Sequence, residues 1–267
     1  MKKYLAMFRI RFVNSLQYRV AALAGVSTQF AWGFMELLAF SAFYRASPAA
    51  FPMEFSQTVS YIWIQQAFLA LFMTWFYEND FFEAISSGSI AYELVRPVDL
   101  YHRWFCLSAA NRVAKTSLRC GPVLLVAFLL PPPLRMTLPS DPRVFFLFII
   151  SGALSLCVVI SFSMLIYVSA FYTLSPQGPK IVAAMVCDFL AGAIIPLPFF
   201  PEPFRGIAEL LPFAAMQNMP LRIYSGNIAG NQAFKGILLQ IFWLITLYAA
   251  GRFFMKRALK KVVVQGG

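Results

Sequence analysis

Acid and histidine are scarce in this chain of 267 residues, which has 11 Asp and Glu together and one His against 22 Lys and Arg. That leaves little material for hydrolytic or metal chemistry, which draws on carboxylates and imidazoles in clusters. Cysteine is equally thin. Cys106, Cys120, Cys157 and Cys187 stand singly in or beside apolar segments, with no C-x-x-C pair and no neighbouring His, so they read as small buried hydrophobes. No G-x-x-x-x-G-K-[ST] phosphate loop occurs, because Gly178-Pro179-Lys180 lacks both the upstream glycine and the following hydroxyl. No small-residue cleavage site follows the basic start, so no removable signal peptide is expected.

Apolar residues are abundant. They make up 60% of the chain and charged residues 12%, against about 45–50% and about 25% in ordinary soluble domains. The apolar residues gather into runs near the ~20 needed to cross a ~30 Å hydrocarbon layer, so the solvent is a bilayer. The net charge of +11 then follows from topology, since spans carry few acids and cytoplasmic loops collect Lys and Arg. Nucleic acid is not expected as a partner.

The reading is an all-α, polytopic membrane protein in one domain, 1–267. Residues 1–18 have helical periodicity, with Leu5, Phe8, Phe12 and Leu16 on one face and Lys3, Arg11, Asn14 and Gln17 on the other, as in a helix lying on the membrane. Six spans are expected at 20–43, 58–77, 106–130, 144–170, 181–198 and 236–255. The third is the weakest, because Arg112, Lys115 and Arg119 occupy its inner half. With the termini inside, the inner segments hold 16 basic residues and the outer ones 6, which places both termini in the cytoplasm.

Two segments exceed what a six-helix bundle needs. Cytoplasmic 78–103 mixes acids and bases with Phe81, Phe82, Ile85 and Ile90, too apolar for a free loop, and its Ser-Ser-Gly-Ser break precedes a short helix that ends before Pro97. External 196–231 carries Pro196, Pro198, Pro201 and Pro203, then apolar residues at helical spacing interrupted at Pro212 and Pro220. Helices too short to span fit a re-entrant hairpin between the fifth and sixth spans.

Two motifs carry a resemblance. Ile85-x-x-Gly88-x-Ile90-x-x-x-Leu94-x-Arg96-Pro97 resembles the cytoplasmic coupling segment of the small bacterial type-2 ABC-transporter permeases. Gly192-x-x-Ile195-Pro196-Leu197-x-Phe199-Phe200-Pro201, followed by Leu211-Pro212-Phe213 and Pro220, resembles the start of their external hairpin. The order of parts agrees over nearly the whole chain. The resemblance implies the non-enzymatic, membrane-spanning half of an ATP-driven exporter in a bacterial cytoplasmic membrane, without cofactor. It also implies a dimer of cytoplasmic ATPase subunits as partner and a second permease subunit, more readily a related chain than an identical copy.

Glu83, Gly88, Glu93, Arg96 and Pro97 are the expected core of the ATPase contact, with Glu78 and Asp80 beside them as acids for basic groups on the ATPase. Glu36 and Asp188 are the acids within spans, where a charge usually faces a partner or a wet cavity. A rise of 1.5 Å per residue puts Glu36 about 24 Å from Val20 and Asp188 about 10 Å from Ile181, hence in opposite leaflets and not in one site. Arg112, Lys115 and Arg119 lie at i, i+3 and i+7 as a basic stripe for anionic headgroups of membrane lipids or of substrate, or for snorkelling and pairing with Glu78, Asp80 or Asp99. Lone His102 is not expected to be catalytic or metal-binding. An ion-driven secondary transporter would show internal repeats, and a membrane-embedded enzyme would show clustered His or acids; the chain has neither.

Overall fold

The computed structural model describes residues 2–139, 141–173 and 175–262, and every regular element among them is helical. Four long helices form the frame: α2 (Arg19–Ala46), α7 (Leu100–Leu129), α8 (Pro142–Ser169) and α13 (Gly230–Leu259). Short elements fill it: α1 (Lys2–Ser15), α3 (Phe55–Ala67), α4 (Leu69–Phe72), α5 (Asn79–Ser86), α6 (Ile90–Leu94), α9 (Gln177–Leu190), α10 (Phe204–Leu210), α11 (Pro212–Met216) and α12 (Asn218–Tyr224). Only α8 and α13 are by themselves long and apolar enough to cross a membrane among the described residues. α2 and α7 have the length. α3 and α9, at 13 and 14 residues, reach only about 20 Å each, which corrects the expectation of six full-length spans.

Local chemistry sets these boundaries. Asp99 caps α7 by accepting from the His102 backbone N–H at 3.0 Å, and Asp141 caps α8 ahead of Pro142. Glu54 and Gln57 form a reciprocal capping box that starts α3. α9 ends at Gly192 (φ +76°) and not at the prolines: the Ala193 N–H reaches back to the Asp188 carbonyl at 3.1 Å and the Gly192 N–H to Phe189 at 3.4 Å. That pairing is a Schellman stop, which needs a left-handed residue and so favours glycine.

The span expected over 58–77 breaks at Phe68 and again after Phe72, with no Pro or Gly in it. Its carbonyls are satisfied from outside. Arg112, 2% exposed, donates to the carbonyls of Ala70 (3.3 Å), Leu71 (3.5 Å), Met73 (2.7 Å) and Phe76 (3.0 Å). In a bilayer, irregular backbone persists only where protein supplies such partners. Arg112 therefore leaves the basic stripe. Lys115 and Arg119 remain on it, both over the Phe76 ring at 5.3 and 5.9 Å.

A second buried polar knot holds the 196–231 segment. The Gln240 amide on α13 donates to Ser155 Oγ (2.8 Å) and to the Ala215 carbonyl (3.0 Å), and Ser151 Oγ donates to its Oε1 (2.9 Å). One amide thus ties α8 and α13 to α11. Pro212 starts α11 and Pro220 lies in α12, whereas Pro196 and Pro201 flank a short 3-10 turn at Leu197–Phe199.

Helix α1 packs along α7, and one residue of its expected polar face turns inward with it. Leu5 is 71% exposed, while Arg11 turns inward to Glu78 Oε2 at 2.6 Å. Burial alone would lower the Arg11 pKa, and the charges of Glu78 and Asp80 outweigh it, so the guanidinium stands above its ordinary value. Glu78 also accepts from Asn111 Nδ2, Asn111 Oδ1 in turn accepts from Ser15 Oγ at 3.1 Å, and the Glu78 backbone N–H donates to Tyr167 Oη at 2.7 Å. One buried carboxylate joins α1, α7 and the start of α5. Its replacement, Glu78→Gln, removes the charge from a buried, hydrogen-bonded pair and is expected to cost about 1–3 kcal/mol. Thermal unfolding in detergent reads this directly; an unchanged midpoint would mean that the junction contributes little.

Candidate functional site

The 78–103 element is a helix-turn-helix, α5 and α6, rooted by aromatics and exposed at its tip. Phe81 stacks on Trp104 of α7 (centroids 4.5 Å apart), Phe82 packs on Tyr167 of α8 (5.0 Å), and Ile90 is buried beside them. Stacked and edge-on pairs of this kind add to the apolar burial. Gly88 makes the turn at φ +74°, a left-handed conformation that side chains resist. Lys180, just past the start of α9, reaches Asn79 Oδ1 at 3.2 Å and lies 4.8 Å from the Phe82 ring centre, tying a further helix to the element.

The expected contact residues separate into two groups. Glu93 points inward, ion-paired with Arg103 and accepting from Trp104 Nε1 at 3.4 Å. It fixes α6 to α7. Glu83, Gly88, Arg96 and Pro97 face out, in company with Tyr92 (76% exposed) and Val95 (81%). Glu83 is in no ion pair among the described residues. Glu78 and Asp80, expected beside them as acids for basic groups on the ATPase or on the stripe of α7, pair with Arg11 at 2.6 and 3.5 Å. Beside the exposed tip, between the 86–92 turn and Ala170, Phe171 and Pro176, runs a groove of about 930 Å³.

Lone His102 is built into a surface cluster. Its Nδ1 lies 2.8 Å from Asp99 Oδ1, and its Nε2 meets Tyr248 Oη and Arg252. Among the described residues no group of three His, Cys, Asp or Glu could hold a metal ion.

A second cavity, of about 320 Å³, lies among α2, α3, α4 and α9, and both Glu36 and Asp188 line it. Helix counting had put them in separate leaflets. The difference comes from α3 and the short α9: Tyr61 Oη and Gln65 Nε2 donate to the carbonyls of Gly192 (3.1 Å) and Ala193 (2.8 Å), just past the end of α9, and so hold Asp188 beside α3. On the other side of α3, Gln66 Nε2 reaches Glu36 Oε2 at 3.5 Å. Gln29, Gln65 and Gln66 were legible as amides inside apolar runs, a signal of the same kind as the two acids, but the sequence reading singled out only the acids.

A family model described as ABC-2 family transporter protein matches residues 30–266. No curated protein matches the chain.

Proposed function

The chain belongs to the ABC-2 transporter family, whose members are membrane components of ABC transporters working with ATPase subunits, and from that premise we propose that it is the permease subunit of an ATP-driven exporter. Both termini lie in the cytoplasm of a bacterial cell, a dimer of ATPase subunits docks on the 78–103 element, and a second permease subunit, related or identical, completes the pathway. The 196–231 segment forms the external hairpin. Glu36 and Asp188 line the pathway, and Lys115 and Arg119 sit at the level of anionic lipid headgroups.

The observation that carries this reading is the build of the α5–α6 element. A motor that closes on ATP needs a rigid feature to push against. Stacking of Phe81 on Trp104 and the Glu93–Arg103 pair supply the rigidity, while Glu83, Tyr92, Val95 and Arg96 present apolar and charged groups of both signs to a cleft. The ATP-binding motif absent from this chain then belongs to the partner.

Affinity purification of the tagged chain from its native membrane in detergent, with identification of the proteins that elute with it, tests the assignment. The chain and an ATPase subunit should elute together with a second permease copy or its relative. A permease that stays monomeric on the ATPase would reject the two-permease assembly, and one that carries no ATPase would reject the subunit role.

A further inference from the structure

The acids of this chain that lie between helices are mostly paired: Glu78 with Arg11, Glu93 with Arg103, Asp99 with His102 and Arg252, Glu209 with Arg222. Glu36 and Asp188 are the exceptions. Neither is in an ion pair among the described residues, both line the 320 Å³ cavity, and no Lys, Arg or His lines it with them. A carboxylate withdrawn from water without a counter-charge is costly, and a bound cation offsets that cost.

A separate observation marks the cavity as built for a ligand. Gln29 is 1% exposed, lines the same cavity, and neither its Nε2 nor its Oε1 has a hydrogen-bond partner among the described residues. Buried amides are normally satisfied, so an orphan at a cavity wall has a partner to receive. Two indoles, Trp32 and Trp75, line the wall as well, and indole faces attract cations. Among the described residues no third acid, His or Cys joins the two carboxylates. The volume lies within the range of small-molecule pockets.

We propose that this cavity binds an organic cation, a protonated amine whose N–H groups meet Glu36, Asp188 and the Gln29 amide and whose apolar body rests on Trp32 and Met73. That the cation is the transported cargo rests on the permease reading above; the preference for a cation over a neutral molecule does not.

Ethidium, an aromatic cation with amino groups, is the probe, with its fluorescence followed on titration of the purified full-length chain in detergent. 4-Phenylbutylamine should displace it and the isosteric neutral 4-phenylbutanol should not. The double variant E36Q/D188N should bind ethidium at least about tenfold more weakly, the order lost when charged hydrogen-bond partners are removed. Trp32 is 59% exposed, so W32A leaves the fold intact and should weaken binding about threefold; it decides the matter if the double variant does not elute as the wild type does. Absence of ethidium binding, equal displacement by the alcohol, or unchanged affinity in the variants would overturn the proposal. Cation binding by a chain that carries no ATPase would overturn the permease reading and leave the cation site standing.

Discussion

Replacing Arg96 with Glu, or Gly88 with Val, is expected to stop export while the chain still folds, inserts and binds its ATPase. Arg96 and Pro97 are exposed at the end of α6, so reversing the charge disturbs no internal contact. A Cβ on Gly88 would meet nothing within 4 Å, so the valine acts only through the backbone: φ of +74° is a conformation that costs side-chain-bearing residues roughly 1–2 kcal/mol, and more when they are β-branched. The turn reshapes and the tip moves, while the roots at Phe81, Phe82 and Ile90 stay seated. ATP turnover by the partner should persist at a lower rate. Transport into inverted vesicles, measured beside ATPase association and turnover, separates uncoupling from misfolding. Normal transport by R96E would return the segment to an ordinary packed loop.

Arg112→Met should be the most destabilising single change in the membrane region. The guanidinium is the donor for four carbonyls of a broken helix, and its removal leaves those carbonyls without partners where water is scarce. Removing one side of a buried charged interaction typically costs about 3–5 kcal/mol, and methionine fills the volume without a donor. Lysine keeps the charge but cannot fork between Met73 and Phe76 as a planar guanidinium does, so R112K should fall between the two. Yield of monodisperse protein and its melting midpoint in detergent give the ranking; R112M as stable as the wild type would mean that the carbonyls find other partners.

The long helices were legible because a strong apolar run bounded by caps or basic residues leaves few choices: 144–170 became Pro142–Ser169, and 236–255 became Gly230–Leu259. The broken second helix was not legible, because nothing within 58–77 breaks it. Its partner, Arg112, comes from another helix forty residues on, and a stripe drawn at i, i+3 and i+7 cannot say which member turns inward. The fifth helix misled in another way. Proline at 196 looked decisive, but Gly192 had already closed the helix, and that early stop, held by Tyr61 and Gln65, is what brings Asp188 into one cavity with Glu36. Arg11 likewise looked like a solvent-facing base until Glu78 gave it a reason to turn inward. In each case the deciding group lies far away along the chain, where periodicity carries no information.

The junction at Glu78 also has a consequence for biogenesis. Helix α1 is synthesised before its anchors, which are Glu78 and, 96 residues beyond Ser15, Asn111. At about 5–20 residues per second, the ribosome needs roughly 5–20 s to supply them. Throughout that interval α1 lacks the partners that hold Arg11 and Ser15, so it docks well after it is made. The closing of this junction is therefore timed to the arrival of α7, the second of the four long helices.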